Sequence, residues 1–201
     1  MIIMLMQVLW YNKYMRDNTT TYAFIDSQNL YKGVGGDIVN PKTEKVEYEG
    51  WELDYRKFRL YLKNKYGVSK AYFFIGNLPG KESFYTLLQD MGYTVVLKPT
   101  LPFRENGVSN VKGNVDAELV LYASALTYNQ YDKAIIVSGD GDFLCLAEYL
   151  DAQNKLLKIL TPNPKYSSLL NKFASRTLIV GSMRQQLERN KKTGLAGRSK
   201  P

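Results

Sequence analysis

Histidine is absent from this 201-residue chain, and cysteine occurs once, at Cys145. The first absence excludes Ser-His-Asp and Cys-His catalysis, a histidine general base, and nearly every zinc or non-haem iron centre. The second excludes an internal disulfide framework and a Cys-rich zinc site, and makes a reducing cytoplasm the expected compartment. No Gly-x-x-x-x-Gly-Lys-Ser/Thr run is present, so no phosphate-cradling nucleotide loop of that kind is expected. The apolar opening from Met1 to Tyr11 is too short to span a bilayer. It also lacks the positive flank and small-residue cleavage site of a signal peptide, so it reads as an extra strand or helix outside the core. The ordered pattern begins only after Thr19-Thr20-Thr21, which makes Met15 a candidate start that N-terminal sequencing would test. Whatever chemistry the chain performs must run on carboxylates, hydroxyls, lysines or a bound metal.

What is present is an ordinary globular composition, 45% hydrophobic and 23% charged, with a net charge of +8. That length suits one α/β domain with a sizeable core. The charge is uneven. From Ser182 onward, Arg184, Arg189, Lys191, Lys192, Arg198 and Lys200 face only Glu188. Such a tail attracts phosphates through counterion release, and is equally well read as a solvated solubility tail.

Strand and helix patterns alternate along the chain. Strands are expected at Tyr22–Asp26, Ala71–Ile75, Thr94–Leu97, Ala134–Ser138, Lys155–Leu160 and Thr177–Val180. Helices are expected at Ser27–Lys32, Asp54–Tyr66, Lys81–Met91, Val115–Leu126, Phe143–Ala152 and Ser167–Ala174. Asp54 is the expected N-cap of the second helix and Gly67 its stop. Gly33–Gly50 reads as an insertion or hairpin, and Pro99–Asn114 as a polar loop. Repeated βα units predict a mostly parallel sheet with helices on both faces, a three-layer α/β/α sandwich. Three parts are expected: an extension over residues 1–20, a domain over 21–181, and a basic C-terminal helix and tail over 182–201.

The most informative run is Ala134-Ile135-Ile136-Val137-Ser138-Gly139-Asp140-Gly141-Asp142-Phe143. A buried strand ends in two acids one residue apart, and the two glycines are expected to free the backbone from Cβ constraints. Carboxylates held together repel unless a cation lies between them, and a hard divalent metal is the simplest such cation. The first strand ends similarly, in Phe24-Ile25-Asp26-Ser27-Gln28-Asn29, and Asp116 opens the helix that follows the third strand and its loop. In parallel sheets ligands bind beyond the strand C-termini where strand order reverses, so these acids converge if the first and fourth strands are neighbours. Each acid also has a purely structural reading. Asp116 suits the first turn of a helix, Asp142 a cap for the helix at Phe143, and Asp26 an Asx-turn.

Together, Phe24-Ile25-Asp26-x-x-Asn29, Lys112-Gly113-x-x-Asp116 and Val137-Ser138-Gly139-Asp140-Gly141-Asp142-Phe143 resemble the LabA-like branch of the NYN domain family of PIN-like nucleases, over about Tyr22 to Val180. The resemblance implies a PIN-like sandwich and hydrolysis of RNA phosphodiesters at an acidic Mg²⁺ or Mn²⁺ site. By motif, Asp26, Asp116, Asp140 and Asp142 are the metal-site acids, Asp26 and Asp140 as direct ligands. Asn29 is the polar residue beside them. Substrate contacts are expected from Lys112, Arg104 and Ser138, with Phe103 in the same loop and Tyr31 or Trp51 stacking on bases. A core role for Trp51 is the competing reading.

The chain departs from the pattern in one place. Family members often carry a further Asp about two turns into the helix, where this chain has Leu121 and Tyr122, with Glu118 nearer the helix start. A catalytically weak or inactive module that binds RNA or a protein partner is therefore the alternative. A phosphatase using Asp26 as nucleophile fits less well, because Gln28 stands where a second acid is wanted. The expected partners are RNA, single-stranded or structured, with a homodimer allowed and no membrane.

Overall fold

The computed structural model describes residues 19–99, 101–105, 108–112 and 115–190, without the side chains of residues 101–112. The expected extension up to residue 18, the start at Met15 and the tail beyond Asn190 lie outside these residues. So do the side chains of Phe103, Arg104 and Lys112.

The strand β1 (Thr21–Asp26) is buried along its whole length, as a strand covered on both faces must be. Its side chains alternate between two cores. Tyr22 and Phe24 pack with Leu119, Leu146, Leu150 and Phe173 on one face, while Ala23 and Ile25 pack with Leu30, Val34, Phe58 and Leu62 on the other. The helix α1 (Ser27–Gly35) leaves β1 directly. A small antiparallel pair, β2 (Ile38–Val39) and β3 (Val46–Tyr48), fills the region read as an insertion or hairpin. The next helix, α2 (Tyr55–Tyr66), is capped as its sequence predicts. Asp54 accepts from the backbone N–H groups of Arg56 and Lys57, and Gly67 ends the helix at φ 65°, a left-handed conformation for which glycine is the default.

The chain continues through β4 (Val68–Asn77), α3 (Glu82–Asp90) and β5 (Tyr93–Pro99). Next come β6 (Leu101–Glu105) and β7 (Val108–Lys112), paired antiparallel with Glu105 opposite Val108. This hairpin corrects the expectation of an irregular polar loop. The signal was present as Asn106-Gly107, the composition that two-residue hairpin connections favour.

The helix α4 (Asp116–Leu121) passes into a π-helical turn at Tyr122–Leu126 rather than staying α-helical as expected. Thr127 explains the change, since both its N–H and its hydroxyl donate to the Tyr122 carbonyl five residues back. β8 (Lys133–Val137), a 3₁₀ turn at Gly141–Phe143, α5 (Leu144–Ala152) and β9 (Leu156–Thr161) follow. A 3₁₀ segment at Ser168–Arg176, β10 (Thr177–Ile179) and the short α6 (Arg184–Leu187) complete the described chain.

Six strands form one sheet in the order β10-β9-β8-β1-β4-β5, and every pairing is parallel. Helices cover both faces, giving the expected α/β sandwich. Successive crossovers run one way through β4 and β5, then return to place β8 on the other side of β1. The order therefore reverses between β1 and β8, where Ile25 pairs with Val137. The C-terminal segment is tied to the body. Leu187 is buried, Leu53 bridges to Glu188, and the Asp54 N–H donates to the Leu187 carbonyl. Two of the cations assigned to the tail are already paired, Arg184 with Glu49 and Glu188, and Arg189 with Glu52.

Candidate active site

The strand-order reversal opens a crevice at the C-terminal ends of β1 and β8, and two acids stand at its mouth. Asp26 ends β1 and is only 5% exposed. One carboxylate oxygen accepts from the N–H groups of Gln28 and Asn29, each at 3.1 Å, so Asp26 is the N-cap of α1. The other accepts from the Ser138 hydroxyl at 3.3 Å. Burial raises the Asp26 pKa above its ordinary value, and the negative charge of Asp116 raises it further, against the lowering effect of these hydrogen bonds. Asp116, in the first turn of α4, is thus an electrostatic neighbour of Asp26 although it arrives from a different crossover.

Asp140 follows β8 and caps the 3₁₀ turn by accepting from the Asp142 N–H at 3.0 Å. The structural reading proposed for Asp142 therefore belongs to Asp140. Ser138 links the two strand ends, because its hydroxyl also accepts from the Asp140 N–H at 3.2 Å. Asp142 is the second residue of the turn and is exposed. Asn29 adds a second link. Its side-chain oxygen accepts from the Gly139 N–H at 2.8 Å.

The glycines of the run serve a different purpose from the one expected. Neither Gly139 nor Gly141 has a positive φ. A Cβ on Gly139 would lie 3.0 Å from the Tyr166 Cβ, and one on Gly141 would lie 2.4 Å from the Ser167 Oγ. Close approach of the Tyr166-Ser167 segment requires them, and the Ser167 N–H donates to the Gly139 carbonyl across that contact.

The position where a further acid was missed is occupied by packing. Tyr122 stacks edge-on against Tyr72 and Phe74. Glu118 is held by Lys98 at 2.7 Å. Among the described residues, no three acids, histidines or cysteines form a group arranged to hold a metal ion. The acids that do come together are Asp26 and Asp116, with Asp140 joined to Asp26 through Ser138.

Of the expected aromatic contacts, Trp51 is buried in the core and unavailable for stacking, whereas Tyr31 is 70% exposed on α1. Sequence reasoning missed one feature of the crevice. Beside the acids lies a cleft of about 230 Å³ whose rim carries Lys32 and Lys165. Nothing local announced it, since its walls come from α1 and from the loop after β9.

The NYN domain profile matches residues 20–181, which is the whole sheet and both strand ends just described. The chain is 26% identical over 176 residues to the "Low amplitude and bright protein LabA" of Synechococcus elongatus, covering 84% of this chain and 88% of that protein. A crystal structure of a protein of unknown function from Vibrio parahaemolyticus superimposes with a TM-score of 0.58 at 25% identity, covering 81% of this chain and 93% of that one. A profile match spanning the sheet, the crevice and its acids places the chain in the NYN domain family, which is nuclease-like.

Proposed function

We propose that the protein is a metal-dependent ribonuclease that hydrolyses RNA phosphodiester bonds at the β1/β8 crevice. One observation carries this reading: a carboxylate buried at the strand-order reversal, its pKa raised by desolvation and by a second acid. A structural N-cap has no need of that neighbour, and like charges brought together in a desolvated place favour binding of a cation.

Asp26, Asp116 and Asp140 are the residues that would hold Mg²⁺ or Mn²⁺, with Asp142 contributing directly or through water. The oxygen-only donor set suits these hard ions, which keep several waters and need few protein ligands. When bound, such an ion supplies a water of lowered pKa and neutralises charge on the phosphate. Asp26 is fixed for this role by two backbone N–H donors and Ser138, so its carboxylate is oriented before substrate arrives. Asn29 holds the β8 loop through Gly139 and offers its amide nitrogen to a phosphate oxygen or to the attacking water. Lys112 and Arg104, in the β6–β7 hairpin, are assigned to the strand backbone, and Tyr31 to a base.

The second reading, a binding module without catalysis, is favoured by Tyr122 packed where an acid was expected and by Glu118 committed to Lys98. One experiment separates the two. Unstructured and stem-loop RNA are incubated with the protein in Mg²⁺, Mn²⁺ or chelator, alongside Asp26→Asn and Asp140→Asn. Metal-dependent cleavage that both substitutions abolish is the expected result. Binding that survives chelator and both substitutions, with no cleavage, would establish the module instead.

A further inference from the structure

The crevice has a second, oppositely charged half. Asp26 and Asp140 follow the two strands of the β1–β8 seam, with Asp116 near Asp26. Next to the Asn29–Gly139 link, Lys32 from α1 and Lys165 from the loop after β9 line the 230 Å³ cleft. Both lysines are exposed, and neither forms an ion pair among the described residues. Most described lysines share this, and a few cations elsewhere are neutralised. Lys98, Lys172, Arg176, Arg184 and Arg189 each have an acid within salt-bridge distance.

The cleft is also built rather than incidental. Asn163 donates to the Gly33 carbonyl at 2.7 Å and accepts from the Lys165 N–H at 2.9 Å, which pins the loop carrying Lys165 to the helix carrying Lys32. Gly33 allows that approach, because a Cβ there would lie 2.5 Å from Pro162. Asn29 belongs to both halves. It lines the cleft, and it holds Gly139, the residue before the cap residue Asp140.

We infer that this cleft binds the phosphodiester next to the one cleaved, and so selects a single-stranded polynucleotide over a mononucleotide or a small phosphate ester. The inference rests on the ribonuclease reading for the position of the scissile phosphate, but the cleft's own binding does not depend on cleavage. Acids that hold a cation serve one phosphate and repel the next one along the strand. Two ammonium groups in the cleft that Asn29 and Gly139 share with the acids' strand ends supply the missing attraction, as point charges suited to phosphate. A small phosphate ester has one anionic group and cannot occupy both halves. A flexible strand, with a phosphate at every nucleotide, can.

Binding of a fluorescein-labelled oligouridine is measured by anisotropy in chelator, where no cleavage occurs, over a range of salt concentrations. The Lys32→Ala/Lys165→Ala double variant is expected to bind about tenfold more weakly at low salt, with a salt dependence shallower by about one phosphate contact or more. Lys32→Arg/Lys165→Arg is expected to restore most of the affinity, because charge is what the cleft contributes. Lys63→Ala/Lys65→Ala, an equal loss of exposed charge on α2, sets the non-specific background. Where cleavage is also observed, KM rises about tenfold in the double alanine variant with kcat within about twofold, because the acids are untouched. Affinity and salt slope equal to those of the Lys63/Lys65 control, or no oligouridine binding by the unaltered protein, would overturn the inference. Absence of cleavage with lysine-dependent binding intact would overturn the ribonuclease reading and leave the cleft assigned.

Discussion

Asp26 and Asp140 end neighbouring parallel strands, and each caps the helical turn that follows it, yet their surroundings differ. Asp26 is nearly buried, accepts three hydrogen bonds, and has Asp116 as a like-charged neighbour. Asp140 is half-buried and accepts one. Capping explains the one hydrogen bond that Asp140 accepts. At Asp26 it explains two of three bonds and none of the electrostatic strain. A cap residue earns a functional assignment from what surrounds it beyond the cap.

Substitutions that keep the caps and remove the charge break this comparison most sharply. Asp26→Asn retains an acceptor for the Gln28 and Asn29 N–H groups. It is expected to reduce RNA cleavage at least about a hundredfold while raising stability at neutral pH. The sign follows from linkage. With a folded-state pKa raised above 3.8, the native protein binds more protons than the unfolded chain between that value and the raised one. Stability therefore falls as pH rises through the window, and the penalty is present in full above it. Urea unfolding of both proteins from acid to neutral pH checks this. A destabilised Asp26→Asn protein that keeps the same pH dependence would reduce Asp26 to a cap.

Gly141→Ala comes next. Its methyl group meets the Ser167 Oγ at 2.4 Å, so a loss of about 1–3 kcal/mol in thermal or urea unfolding is expected. Full stability would show that the Tyr166-Ser167 segment yields easily. Asp140→Ala removes one cap bond and should lower stability by about 1 kcal/mol, with Asp140→Asn recovering most of it. Recovery of stability without recovery of cleavage would separate the capping role of Asp140 from a metal-binding one. The smallest effect is expected from Glu118→Gln. It weakens a partly exposed ion pair with Lys98, lowers stability by about 0.5 kcal/mol, and leaves cleavage unchanged. Lost cleavage would instead return Glu118 to the metal site.

The parts of the molecule that were legible in the sequence are those governed by local rules. Asp54 and Gly67 bound α2 as their chemistry predicts, and the repeated βα pattern leads to the parallel sheet, whose strand order then brings β1 and β8 together. What escaped depends on segments far apart in the chain. Gly139 and Gly141 answer to Tyr166 and Ser167, not to their own φ angles. The π-helical turn answers to hydrogen bonds made by Thr127. The Lys32 and Lys165 cleft exists because Asn163 reaches the Gly33 carbonyl, a contact between residues 130 apart. The β6–β7 hairpin is the exception, since Asn106-Gly107 offered a local sign that the surrounding polar residues masked.

The bonds between the two strand ends also carry a kinetic consequence. Ser138 reaches Asp26 across 112 residues, and Asn29 reaches Gly139 across 110. Closing so long a loop comes late in folding, after nearer contacts have formed. During synthesis, β1 emerges long before β8, so Asp26 and Asp116 precede the strand that completes the crevice. A nascent or truncated chain lacking β8 carries these acids without Ser138, Gly139 or Asp140 to organise them. Assembly of the crevice therefore requires β8, and a chain that ends before it carries no organised acid cluster.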